Sequence, residues 1–357
     1  RGAKHFSPPQ ANGFDVCFST ESKVPTWDPL LRPKGNNSNK WWDAVSDTVE
    51  AKPYGTAYWN ERGESVTENT RGDNSRVIMD RAIPFIRGAA KRGKPFFGIV
   101  WFHAPHLPVV AGPRHATMYA EFPKYEQHYY GCITALDEQV GRLRAELRAL
   151  GIADDTLLFF SSDNGPEVPT VIDMRKIHQH DGARPWRGVK RDQWEGGHRV
   201  PFIARWPKQI KAGSTSAQTI CLTDVMATCA ALTGAAIPRN AAEDSYNILP
   251  VLLGQAGDKP VREYTLHQTI SLALAIRHGN WKYLDHKGSG GNNYGREGEW
   301  GMKQFALPER APGAAGQLYD LAKDPGETTN LYNEHPEIVK ALKAKLDEYK
   351  TSGRSAP

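Results

Sequence analysis

"DTLLFFSSDNGPE", Asp155–Glu167, runs from an apolar segment straight into a carboxylate, an amide and a glycine. Leu157–Phe160 is the kind of short continuous apolar run that forms a strand covered on both faces. Two similar runs lie either side of it in the chain, "KPFFGIVWF" from Lys94 and "VPFIARWP" from Val200. Before them, "SRVIMDRAIPFIRGAAKRG" predicts a helix capped by Ser75 and stopped at Gly93. A second helix is predicted from Lys124 to Leu150, with Ile133, Leu136, Val140, Leu143, Leu147 and Leu150 on one face and Gly151 at its end. Apolar strands alternating with helices predict an α/β fold, a mostly parallel central sheet sandwiched by helices. Ligands in such sheets sit beyond the carboxyl ends of strands. Asp163 and Asn164 lie at one such end, and "HAPH" from His103 lies at another.

The remainder of the 357 residues sets bounds on this reading. Hydrophobic residues at 39% and charged residues at 24%, with ten Trp, predict a folded chain rather than a disordered one. No apolar run approaches the ~20 residues of a membrane span, and the first residues carry no apolar core of a signal peptide. A net charge of +5 tolerates anionic partners without selecting one, and no basic block or nucleic-acid motif stands out. Cys17, Cys132, Cys221 and Cys229 show neither a C-x-x-C pair nor a zinc spacing. Cys221 and Cys229 fall in an apolar stretch and are expected to be buried thiols.

The rhythm of the chain changes near Gly257. Residues 1–256 are expected to form the α/β domain, opening on some 70 residues of loops and short strands. Residues 257–357 are expected to form a small antiparallel sheet from "REYTLHQ", "LALAIRHG" and "WKYLDHK". A glycine-rich loop from Gly288 to Gly301 interrupts this sheet. A last helix from about Pro336 to Lys350 carries Ile338, Leu342 and Leu346.

Asp163 and Asn164 offer oxygen donors that suit Ca²⁺, with Mg²⁺ second, and not zinc. Asn-Gly is also an ordinary turn signal, and two ligands do not fill a shell of six to eight oxygens. His103 and His106 stand between prolines that restrict the backbone, ready to donate to an anion or simply to hydrogen-bond the loop. Lys190 follows Gly188 and would supply a compact positive charge for a tetrahedral oxyanion. His178, His180 and Arg184 would face the same mouth or solvent. Gly196 and Gly197 are read as a tight turn. Trp41, Trp42, Trp59 and Trp300 would stack on sugars or pack inside.

Together "NGFD" at Asn12, "HAPHLP" at His103, "ALDEQVGRL" at Ala135, "SDNGPE" at Ser162, "RGVKRDQWEGGHRVPFIARWP" at Arg187, "TDVMATCAALTG" at Thr223 and "LYDLAKDPGETTNLY" at Leu318 resemble the sulfatase family. The nearest group is arylsulfatase A-like, within the alkaline-phosphatase-like superfamily, and the pieces stand in the family's order over nearly the whole chain. The resemblance implies hydrolysis of an aryl or carbohydrate sulfate by a formylglycine nucleophile beside Ca²⁺. It makes Asp163 and Asn164 calcium ligands. His106 would lie near the leaving oxygen, and Lys190 would bridge a sulfate oxygen and the ester oxygen. His103, His178, His180 and Arg184 would read the rest of the substrate. The implied partner is a sulfated small molecule or glycan, with no nucleic acid and no membrane span, and family habit implies a periplasmic or extracellular enzyme.

The sequence departs from the family in one region. It has no C-x-P-S-R or C-x-A-x-R nucleophile motif, no early Asp-Asp pair and no G-K-W-H segment, all of which precede "NGFD" in the family. The expectation is an N-terminally incomplete sulfatase that does not turn over substrate alone. The competing readings are a phosphonate or phosphodiester hydrolase of the same superfamily, and a non-catalytic anion- or glycan-binding protein.

Overall fold

The computed structural model describes residues 8–45, 49–168, 174, 182–298 and 301–357. The chain is of the α/β class and forms two compact units, Arg1–Asp154 and Asp155–Pro357.

The first unit opens on short strands. β1 (Phe18–Thr20), β4 (Tyr58–Asn60) and β5 (Ser65–Val66) make one antiparallel sheet, and β2 (Leu31–Pro33) pairs with β3 (Ala51–Pro53). Helices α1 (Asn74–Lys91), α2 (Pro113–Thr117) and α3 (Lys124–Ala149) follow. Asp73 caps α1, its carboxylate accepting the Arg76 N–H at 2.8 Å, and the expected cap Ser75 lies inside the first turn. Val77, Met79, Ile83 and Ile86 form the buried face of α1. Ile86 meets Leu147 of α3 in a cluster with Ala153, and Arg87 forks onto Glu146 at 2.6 and 2.7 Å.

The buried stripe of α3 differs from the expected one. Its fully buried apolar positions are Tyr125, Cys132, Ala135 and Leu147, while Ile133 is 37% exposed. Small residues face the close neighbour: a side chain at Gly131 would come within 2.7 Å of Ala111. "KPFFGIVWF" departs further. It runs without ladder pairing among the described residues, and Phe97, Ile99 and Trp101 are 54%, 46% and 81% exposed. Apolar content makes a strand only where a neighbour accepts its backbone bonds.

In the second unit β6 (Leu158–Ser161) pairs antiparallel with β7 (Phe202–Arg205). Neither strand is covered on both faces: the register partners Phe160 and Ile203 are 39% and 60% exposed. Among the described residues every named strand pair is antiparallel, and the one parallel contact is the bridge between Trp41 and Val109 in the first unit. After β7 come α4 (Val225–Thr233) and α5 (Leu249–Leu252). The expected small sheet is present as β8 (Tyr264–Gln268), β9 (Leu274–His278) and β10 (Trp281–Leu284), with a fourth strand, β11 (Gln317–Asp320), completing the order β11-β10-β9-β8.

Strand side chains alternate faces, and here each face has its own task. Ile276, Tyr283 and Leu318 pack against Val339, Leu342 and Leu346 of α6 (Pro336–Ser352). Ala275, Leu284 and Tyr319 pack on the other side against Trp194, in the loop that follows Lys190. The sheet therefore buttresses that loop. No helix among the described residues is long and apolar enough to cross a membrane.

Candidate functional site

Two loops of the second unit come together beyond the end of β6. Gly165 N–H donates to Gly197 O at 3.0 Å, and Lys190 N–H donates to Pro166 O at 2.8 Å. The contact needs glycine because of approach distance and not because of backbone angle. A Cβ on Gly165 would lie 1.9 Å from Gly196 O, and one on Gly197 would lie 2.2 Å from Asp192 O. Gly196 and Gly197 lie in the tight 3-10 turn Glu195–Gly197, and since neither they nor Gly165 have a positive φ, glycine is demanded there by backbone packed on backbone. Gly188 does require the left-handed region, at φ +91°.

This junction holds Asp163 and Asn164 on one loop and Lys190 on the other. Asp163 is exposed, and its carboxylate has no hydrogen bond or ion pair among the described residues. Asn164 spends its amide nitrogen on Gly165 O at 2.8 Å, leaving Oδ1 as an acceptor with no described partner. Two oxygen donors on adjacent residues, without partners among the described residues, are of the chemistry that a hard cation takes. Lys190 is half-buried, and its ammonium likewise makes no hydrogen bond or ion pair among the described residues. Its neighbours are heavily engaged. Arg191, at φ +82°, forks onto Glu167 at 2.9 and 2.5 Å. Burial pushes the Glu167 carboxyl up, but Arg191 and the Val168 N–H outweigh it and hold it below the usual carboxylate range.

Glu195, five residues after Lys190, belongs to a buried ion cluster that the sequence did not announce. Lys282 Nζ stands 2.9 Å from both Glu195 and Glu327, all three inaccessible to water or nearly so. Arg199 also reaches Glu195, at 2.6 Å. Burial opposes the charge on Glu195, yet Lys282 beside it holds the carboxyl far below its ordinary value. Glu327 is pushed up by burial to about 7. His198 and His267 stack at 3.8 Å, and burial drives both down, His267 to about 3. Glu195, His198 and His267 present donor atoms within 4.8 Å of one another, a spacing that a metal could use. The Lys282 ammonium already fills that space, 3.2 Å from His198 Nε2, so the cluster is an ion network and not a metal centre. The available signal was a lysine at an inward-facing strand position in "WKYLDHK".

The other predicted residues are distributed as follows. His103 and His106 belong to the first unit. His103 Nε2 lies 3.5 Å from Thr20 Oγ1, and burial, then His106, lowers its pKa to about 4, so it is neutral at neutral pH. His106 is exposed, with Nδ1 2.7 Å from Leu107 O. Arg184 is exposed in the second unit. His178, His180 and Trp300 lie outside the described residues. Trp42 is buried, Trp41 stacks on His128 at 5.3 Å, and Trp59 is 37% exposed with its indole N–H on Glu21. Of the four thiols, all free, only Cys132 is fully buried. Cys221 and Cys229 are half-buried, which corrects the expectation for them.

The pattern that defines the Sulfatase family matches residues 12–235. The chain is similar to N-acetylgalactosamine-6-O-sulfatase of Bacteroides thetaiotaomicron, 33% identical over 78% of this chain and 51% of that protein. It is also similar to human arylsulfatase A, 30% identical over 75% of this chain and 52% of that protein. Among solved structures it resembles one described under the metabolism of multiple glycosaminoglycans by Bacteroides thetaiotaomicron. The TM-score is 0.65 at 26% identity, covering 94% of this chain and 66% of the other. The chain spans about half the length of the curated relatives it matches.

Proposed function

The chain belongs to the sulfatase family, and from that premise we propose that it serves a sulfuric ester hydrolase acting on a sulfated glycan or aryl sulfate outside the cytoplasm. The observation that supports this most directly is the ammonium of Lys190, which makes no hydrogen bond or ion pair among the described residues and whose charge helps hold the Glu167 carboxyl down, on a backbone pinned to the turn that carries Asp163 and Asn164.

Negative charge grows on the ester oxygen as the S–O bond breaks, and a fixed cation aimed there lowers the barrier. We assign that task to Lys190. Asp163 and Asn164 would hold the Ca²⁺, which when bound supplies positive charge beside the sulfate. His106 is assigned the leaving oxygen. His103, His178, His180 and Arg184 are assigned the rest of the substrate, His103 as a neutral hydrogen-bonding group. No residue of the sequence matches the formylglycine motif, so these residues bind and polarise, and we expect no turnover from this chain alone. Sulfate release by the purified chain would overturn that.

The test is a titration of inorganic sulfate in the presence of Ca²⁺. Lys190→Ala should weaken binding by about 10- to 100-fold, the worth of one charged hydrogen bond. Unchanged affinity would remove Lys190 from the site. Phosphate titrated alongside separates the second reading, because a tighter hold on phosphate would favour a phosphonate or phosphodiester hydrolase.

A further inference from the structure

Resting on the sulfate-binding role of Lys190, we propose that Glu167, Arg191 and Asn292 are positioning residues, a latch that fixes the backbone on both sides of Lys190. A lysine side chain has four flexible bonds, so the part of its aim that is set in advance comes from its backbone. Both backbone polar groups of Lys190 are engaged. Its N–H goes to Pro166 O at 2.8 Å, and its C=O accepts from Asn292 Nδ2 at 2.9 Å.

The next residue, Arg191, has φ +82°, a conformation that a non-glycine residue keeps only when its surroundings impose it. The Glu167 carboxylate takes both guanidinium nitrogens, and Asn292 Oδ1 accepts from Arg191 Nε at 3.1 Å. Asn292 thus uses both ends of its amide on this one turn, and its nitrogen also donates to Asp192 Oδ1 at 2.8 Å. Asp192 in turn accepts the Val189 N–H at 2.9 Å and the Tyr294 hydroxyl at 2.7 Å. The glycine-rich loop lies directly on the Arg191 peptide, since a Cβ on Gly291 would come within 2.0 Å of Arg191 O. Glu167 stands four residues after Asp163, so the same latch ties the oxygen donors to the lysine.

A purely structural role would hold the two loops together without reference to the Lys190 ammonium. The two roles are separated by titrating inorganic sulfate into the full chain and into Asn292→Ala, Glu167→Gln, Lys190→Ala and the two doubles with Lys190→Ala. Each positioning variant should bind sulfate ~10-fold more weakly while its thermal midpoint stays near the parent's. Each should cost nothing further once Lys190 is gone, because residues acting through one another are not additive. Parent affinity in both single variants would overturn the proposal, and so would the same loss repeated in the Lys190→Ala background. Glu167→Gln preserves shape, so the question stays open to test if Asn292→Ala fails to fold. If the parent chain itself shows no sulfate binding, the functional reading falls and takes the latch with it. That outcome is recognised before any variant is made.

Discussion

Lys282 is a charged residue with no access to water, poised between two carboxylates that are equally enclosed. Removing the ammonium would take from Glu327 its ion-pair partner and leave Glu195, among the described residues, with Arg199 and Arg277 alone. Lys282→Ala should therefore cost about 3–5 kcal/mol of stability, measured by chemical denaturation. Lys282→Met offers the contrast: it refills the volume but still strands the carboxylates, so it should recover only part of the loss. At this scale the sequence revealed the exposed chemistry better than the buried chemistry. Asp163, Asn164 and Lys190 could be singled out as candidates because unusual residues at a strand end or after a glycine announce themselves. Glu167, Arg191 and Asn292 were not, because a charged residue in a loop looks the same whether it faces water or grips another loop 100 residues away.

The loops that carry the proposed site contain glycines of two kinds, and the difference can be measured. Gly165 sits at ordinary backbone angles with no room for a side chain, so Gly165→Ala must push the two loops apart. The expected cost is 1–3 kcal/mol from overpacking, read by thermal unfolding, with a fall in sulfate affinity as Lys190 moves away from Asp163. Gly213, at φ +72° with nothing within 4 Å, should lose about 1 kcal/mol from strain alone and leave sulfate binding untouched. Helices were the most legible elements, since periodicity placed α3 to within a residue at each end. The strand run from Lys94 was not legible, because a strand is a relation between segments and an apolar run carries no record of its partner. The face of α3 was misplaced for a similar reason: close packing against Ala111 selects small residues, whereas the periodicity argument followed the large ones.

For the molecule as a whole, the buried titratable groups set a pH dependence whose sign can be worked out. Burial lowers His103, His128, His198 and His267, so their contribution is present above about pH 6.5 and is lost as pH falls. Burial raises Asp73 to about 6 and Glu327 to about 7, so their contribution is present at low pH and is lost as pH rises through those values. Four groups oppose two. The unfolded chain binds more protons between about pH 5 and pH 6.5, and stability should climb across that interval by roughly 1.4 kcal/mol per unit for each net proton. Denaturant midpoints at the two ends of the interval measure it, and a flat or falling profile would contradict the assignment. The α/β class was legible at this scale from alternation alone, while the second task of the C-terminal sheet, its grip on Trp194, was not. That grip has a practical consequence. A protein shortened to end before Tyr264 would not merely lose an appendage: it would strip the indole of its cover, leave Glu195 without its lysine and unseat the neighbouring turn, so trimming the tail should abolish the sulfate binding proposed for Lys190.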